Sequence, residues 1–343
     1  MALPNYGVLV GTITGKLDSP AAMAKNPGSK PHFQILVDVN GVQYRIAVNV
    51  KSNQQPSDLQ FYLDDDYKHP VIAHVKALPV GFSGLPKLPD TAALDFIRGN
   101  LFDLNKMKIM PTLLGGPNND LNDIFNVHIE HAMSTPGALV YAFGSKWGPE
   151  NGKPDAYFDF EPGNGIHDIH MNQGNVGAHA GDNGIYQDGG LFIHFPDEDR
   201  WLAMFMKFQS QVVHTSDPGE PVPGDPVITP TLPEEETPVV IIAARVNPQG
   251  DDVRREFVYL LNTSGSDVDI NNWSIADKLK KKDVIHNGML KAGEITKVML
   301  TGQGAQLSND GGIITLLNEN GLKVHGVSYT KQDAGEQGRV IAF

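Results

Sequence analysis

Between residues 216 and 238 the chain reads SDPGEPVPGDPVITPTLPEEETP, with seven prolines, six acidic residues and no basic one. Proline fixes φ and has no amide hydrogen to give, so neither a helix interior nor a central strand can run through such a stretch. Too few apolar side chains remain to nucleate a core. The expectation is an extended, semi-rigid linker that divides the 343 residues into a first domain, 1–215, and a second, 239–343. Charge divides the same way. Of the net −13, the linker carries −6 and residues 1–215 carry −7, while residues 239–343 balance twelve acidic against twelve basic groups.

The first domain begins β-rich. Residues 6–16 alternate like a strand, and 32–39 and 42–50 are two alternating runs joined by Asn40-Gly41, the strongest hairpin signal in the chain. Residues 71–76 read as a further strand. After Asp90 the texture turns helical: TAALDFIRGN is a short helix stopping at Gly99, and LNDIFNVHIEHAM, capped by Asn119 or Asp120, is a longer one. ALVYAF (138–143) reads as a buried strand and residues 157–160 as another. Pro196-Asp197 opens EDRWLAMFMKFQSQVV, read as an amphipathic helix with acidic residues in its first turn. The expected class is α+β with antiparallel hairpins. Residues 239–343 hold short apolar or alternating runs separated by Gly, Asn and Asp turns, the texture of an all-β sandwich of immunoglobulin type.

Several function classes fall away. The absence of cysteine excludes disulfides, thiolate nucleophiles and Cys-ligated metals. MALPNYGVLVGTITGK has no secretory signal pattern, and no apolar run approaches the ~18 residues that cross a bilayer, so a cytoplasmic protein is expected, with export by a route needing no signal left open. A net charge of −13 argues against a broad electrostatic grip on nucleic acid.

Residues 163–195, GNGIHDIHMNQGNVGAHAGDNGIYQDGGLFIHF, hold four of the twelve histidines and eight glycines. Imidazoles and carboxylates cost free energy to bury unless paired or bound, so a plain core does not produce this mixture. If 166–172 is a strand, Asp168, His170 and Asn172 share one face with Ile166, and His167, Ile169, Met171 and Gln173 share the other. The first face is expected to carry chemistry, with His170, Asp168, His194 and Asn172 as catalytic candidates. His167, Asp168, His170 and His179 are candidate metal ligands; such groups suit Zn²⁺, Mn²⁺ or Fe²⁺, with Mg²⁺ a further option. A metal-free version uses His170 as base, His194 or His214 as acid, and Lys146, Arg98 or Arg45 to hold a phosphate. The H-x-K-x₄-D pattern of phospholipase D-like enzymes is absent, since Met171-Asn172 follows His170. His128 and His131 read as exposed positions of a helix, and Gln209, Gln211 and His214 as capping or packing.

REFVYLLNTSGSDVDINNWSIADK, AGE and LSNDGGIITLLNENGLKVHGVSY, with Glu256, Asn262, Trp273, Asp277 and the Asp310-Gly311-Gly312 turn, resemble a lamin-tail domain. That resemblance implies an immunoglobulin-like sandwich, an accessory role beside a hydrolase or nuclease, and a protein partner as one thing it binds. YGVLVG, RIAVNVKS, LDFIRG, VYAFG, GIHDIHMNQGN, QDGGL and FQSQVVHT resemble the YukJ-like bacterial family, a domain of unknown function, across residues 1–215. It implies no activity and no site residues.

The functional expectation is therefore a hydrolase of a phosphoester, a nuclease or phosphodiesterase, working through a His/Asp site with or without a divalent metal. The alternative is a non-catalytic, two-module binding or scaffold protein whose histidines form a structural network.

Overall fold

The first strand, β1 (Tyr6–Leu17), bends so that its two halves pair differently. The later half pairs with β2 (His32–Val39), which turns through Asn40-Gly41 into β3 (Val42–Asn49). Asn40 and Gly41 have φ of 52° and 86°, the left-handed pair that a two-residue hairpin turn demands. These elements come from a computed structural model, which describes residues 5–52, 55, 57–85, 92–116, 119–171, 189–211, 238–250, 252–286 and 288–343.

The remaining strands of the first domain are β4 (Leu59–Asp64), β5 (Gly81–Gly84), β6 (Lys108–Met110), β7 (Leu139–Glu150), β8 (Gly163–His167), β9 (Gly190–Phe195) and β10 (Arg200–Phe208). The early half of β1 pairs with β7, and β7 pairs with β8, which lies parallel to β3. The ring β1-β2-β3-β8-β7 thus closes on itself as a five-stranded barrel. The other half of β7 pairs with β9 and extends the sheet through β10, β4 and β6.

Among the described residues the α-helices are α1 (Ser19–Lys25), α2 (Val71–Lys76), α3 (Phe96–Gly99) and α4 (Leu121–Ser134). The longest, α4, is capped by Asp120, whose side chain accepts from the Asp123 amide, and packs Leu121, Phe125, Ile129 and Ala132 onto the barrel core. Phe125 meets Phe33 and Phe61 there at ring distances of 5.3 and 6.0 Å. The domain is therefore mostly β and barrel-like, which corrects the α+β expectation.

The largest correction is β10. Residues 200–208 were expected to be helical from the spacing of Trp201, Leu202, Met204, Phe205 and Phe208, yet they form a strand between β9 and β4. Leu202, Met204, Met206 and Phe208 enter one core, and Trp201, Ala203 and Phe205 the other. A strand buried on both faces is apolar at nearly every position, so period alone cannot separate it from a helix. Residues 71–76 err the other way: six residues read as a strand form α2. Residues 157–160 form no strand: 157 and 158 lie in a turn and 159 and 160 in irregular chain.

After the linker follow β11 (Val239–Arg245), β12 (Phe257–Asn262), β13 (Val268–Asp269), β14 (Ser274–Ala276), β15 (Lys282–Val284), β16 (Met289–Leu290), β17 (Ile295–Met299), β18 (Gly311–Leu317), β19 (Lys323–Thr330) and β20 (Ile341–Ala342). Sheets β17-β12-β11-β20 and β15-β14-β18-β19 face each other across one core holding Val258, Leu260, Trp273, Ile314 and Leu316. The sandwich reading holds. It touches the first domain through Asn100, whose Nδ2 donates to Ile314 O at 2.9 Å and Thr315 Oγ1 at 2.6 Å.

Candidate functional site on the barrel face

Strand alternation points Phe33, Ile35, Ile46 and Val48 into the barrel, leaving His32, Gln34, Arg45 and Ala47 on the outer face of β2 and β3. The Arg45 guanidinium is held there by four groups. Its Nε donates to Asp155 Oδ2 and its Nη1 to Gln34 Oε1, each at 2.7 Å, and it lies 4.6 Å from the Trp147 ring centre and 4.7 Å from that of Tyr157. Trp147 reaches it by passing over Gly165, where a Cβ would meet the indole at 2.3 Å and the Arg45 carbonyl at 1.9 Å.

β8 delivers the next group. It ends at His167, and Asp168 takes a left-handed φ of 56°, which breaks the alternation expected across 166–172. As a result His167 and Asp168 are joined directly, His167 Nδ1 lying 2.9 Å from Asp168 Oδ2. Imidazole donates and carboxylate accepts, so in neutral His167 the basic nitrogen is Nε2. The His167 side chain is 42% exposed, enough to meet a ligand. Burial alone would push the Asp168 carboxyl up, but the hydrogen bonds and charges of His167 and His170 outweigh it and hold it well below the usual carboxylate range.

His170 is packed more tightly. Its Nδ1 donates to Met171 O at 2.9 Å and its ring lies 4.6 Å from that of Phe208. A Cβ at Gly189 would fall 1.9 Å from the His170 amide nitrogen, so only glycine fits beneath it. Its other ring nitrogen, Nε2, lies 3.8 Å from Asp168 Oδ1. Next along β10, Lys207 is fully buried and donates to Gln60 Oε1 at 2.6 Å and Phe208 O at 3.1 Å.

An open cavity of about 400 Å³ lies over this face, bounded by Lys30, His32, Arg45, Trp147, Tyr157 and His167. His32 Nδ1 donates to Lys30 O at 3.0 Å. Burial above all holds the His32 imidazole below its usual 6.5, Arg45 and His170 adding to this against Asp168 and the Lys30 carbonyl, so it is neutral at pH 7 with Nε2 unprotonated.

His167, Asp168 and His170 lie together, although strand alternation would set His167 on the face opposite the other two, and it is His167 rather than His170 that borders the cavity. Ile169 and Met171 enter opposite cores. His194 does not join them. It stacks on Trp201 at 4.5 Å, and its charged neighbours are Lys76 and Asp199. Along β9 it stands five residues from Gly189, roughly 16 Å at the rise of a strand. Asn172, His179 and His214 lie outside the described residues. Among the described residues no group of three His, Asp or Glu is arranged to hold a metal. Lys146 lies over Phe82 instead, 5.0 Å from its ring. Gln209 and Gln211 accept from the Asp58 and Phe208 amides, as expected of packing residues. Among the described residues no helix is long and apolar enough to cross a membrane.

Reading the sequence missed His32, Lys30, Trp147 and Tyr157, which lie far apart in the chain. Lys207 had a signal that was passed over, a lone lysine inside the apolar run WLAMFMKF.

Residues 1–220 match the family model described as "Uncharacterized conserved protein (DUF2278)", and residues 233–331 match the Lamin Tail Domain. The chain is 39% identical over 227 residues to "Uncharacterized protein YukJ" of Bacillus subtilis (strain 168), covering 65% of this chain and 96% of that one.

Proposed function

Since the chain belongs to the DUF2278 family, whose description names no activity, its own site must indicate the chemistry, and we propose that it hydrolyses a phosphoester with His167 as general base. The observation that carries this is the 2.9 Å His167–Asp168 pair at the edge of a cavity also bounded by Arg45 and Lys30. Asp168 orients the imidazole and steadies the imidazolium once formed. His167 Nε2 takes a proton from water, the resulting hydroxide attacks phosphorus, the P–O bond to the leaving group breaks, and the leaving oxygen takes its proton from solvent. Lys30 and Arg45 stand where the phosphoryl charge would lie.

The scaffold alternative is favoured by one observation: His170 is buried and spends its Nδ1 on backbone. Hydrolysis of bis(p-nitrophenyl) phosphate, with and without added divalent metal, separates the two. His167→Gln and Asp168→Asn are expected to lose about 10²- to 10⁴-fold in kcat while keeping the wild-type circular dichroism. Absence of turnover in the wild type, or variants as active as the wild type, would favour the scaffold.

A further inference from the structure

The barrel order β1-β2-β3-β8-β7, closed by the β1–β7 pair and with β3 parallel to β8, has a general consequence. Counted along the chain, the barrel strands run 1-2-3-5-4-1, the Greek-key barrel that binds oligonucleotides or oligosaccharides on the face of its second and third strands, between the loop joining strands one and two and that joining four and five. A fold alone assigns no function, but here the cavity lies on that face. Its walls come from the first loop (Ser29, Lys30), strands two and three (His32, Arg45), the second loop (Tyr157) and the last strand (His167). We propose that this face binds single-stranded nucleic acid, one base stacking against the Trp147 and His32 rings and a neighbouring phosphate meeting Lys30 and Arg45. The inference names the polymer for the site described above and rests on that phosphoester reading.

Three observations choose among the ligands that such a barrel takes. The cavity carries cations as well as rings. Arg45 brings a guanidinium to the cavity, and exposed Lys30 makes no ion pair among the described residues, which favours a phosphate over an uncharged sugar. Among the described residues Ser29 Oγ, whose residue borders the cavity, has no hydrogen-bond partner. Finally, a net charge of −13 argues against a broad electrostatic grip on a duplex backbone, whereas base stacking in a local cleft needs only a few cations and an unpaired strand.

The test uses the full chain and a fluorescein-labelled oligothymidylate, read by anisotropy and by quenching of tryptophan emission. The expected result is saturable binding at least tenfold tighter than to the corresponding duplex, not displaced by a neutral maltooligosaccharide. The slope of log affinity against log salt should be shallow, about −1.4 for two phosphate contacts, and Lys30→Gln should reduce it by about 0.7. Trp147→Leu should weaken binding roughly 5- to 150-fold, the range for one base stacked on an aromatic ring. Because Trp147 also packs on Arg45, its melting curve is recorded alongside, and Lys30→Gln, a surface change, tests the site even if that variant unfolds. Absence of strand binding, equal binding of duplex, displacement by the sugar, or an unchanged salt slope in Lys30→Gln would each overturn the inference. Binding and cleavage fail separately. A wild type that binds the strand but never cleaves a phosphodiester refutes the hydrolase alone, and one that cleaves bis(p-nitrophenyl) phosphate but binds no strand refutes this inference alone.

Discussion

Asp155→Ala removes the carboxylate that anchors the barrel face. Its side chain is 2% exposed and that of Arg45 14%, so this ion pair lies largely out of water. Asp155 Oδ2 accepts from Arg45, and Oδ1 accepts from the Tyr157 and Phe158 amides at 3.0 Å each. Truncation leaves a guanidinium between two aromatic rings with only Gln34 to receive it, and frees two backbone donors. Leaving one member of a buried pair uncompensated costs about 3–5 kcal/mol. For a domain of this size each kcal/mol lowers Tm by about 2–4 °C, so the melting point should fall by about 6–20 °C. Thermal unfolding of the full chain, followed by circular dichroism, reads this directly. The double variant Arg45→Met/Asp155→Ala should recover most of the loss, because a well-packed apolar group in place of a buried pair is close to neutral. A fall below about 2 °C in the single variant, or a double variant no more stable than the single, would refute the claim that a desolvated charge pair holds this face together.

Two further expectations concern the sandwich. Glu256 is buried, and burial first of all, with Asp252, Asp277 and Asp283 adding to it against the Leu307 amide, lifts its carboxyl from 4.5 to about 8. The folded state therefore binds a proton that the unfolded chain has released, so this contribution is complete below pH 4.5 and is lost as pH rises to about 8. At 1.36 kcal/mol per pKa unit the full effect would be nearly 5 kcal/mol, and screening by solvent reduces it to about 2; urea titrations at pH 5 and pH 8 should differ by that amount, and Glu256→Gln should flatten the difference, an equal slope in both proteins counting against it. Asn100→Ala deletes both hydrogen bonds to β18 and places alanine at a φ of 48°, at a combined cost of about 2–4 kcal/mol. Calorimetry should then resolve separate transitions for the two domains, and an unchanged thermogram would mean that Asn100 does not couple them.

Where local chemistry decides structure, the sequence was readable. Asn40-Gly41 demanded a hairpin because few other pairs tolerate two left-handed residues, and Asp120 marked the start of α4 because its side chain answers an amide that the helix leaves open. Where neighbours decide, it was not. Residues 200–208 carry a pattern compatible with helix and strand alike, and only the presence of β9 on one side and β4 on the other selected the strand. The His167–Asp168 contact follows from a single positive φ, which no periodicity announces.

From its residues alone, the chain determined that it has two folded parts separated by a proline-rich acidic segment, that the second is a β sandwich, and that imidazoles and carboxylates crowd together near His167, Asp168 and His170. The tertiary structure decided what surrounds those residues. Closing β1 onto β7 and laying β3 parallel to β8 brings His32 and Arg45 beside His167 across more than a hundred residues of chain, and sets Trp147 and Tyr157 next to them. Composition and spacing record which side chains are available, but barrel closure is a long-range pairing whose energy is realised only when the whole ring forms, so the identity of the neighbours at the site had to come from the fold.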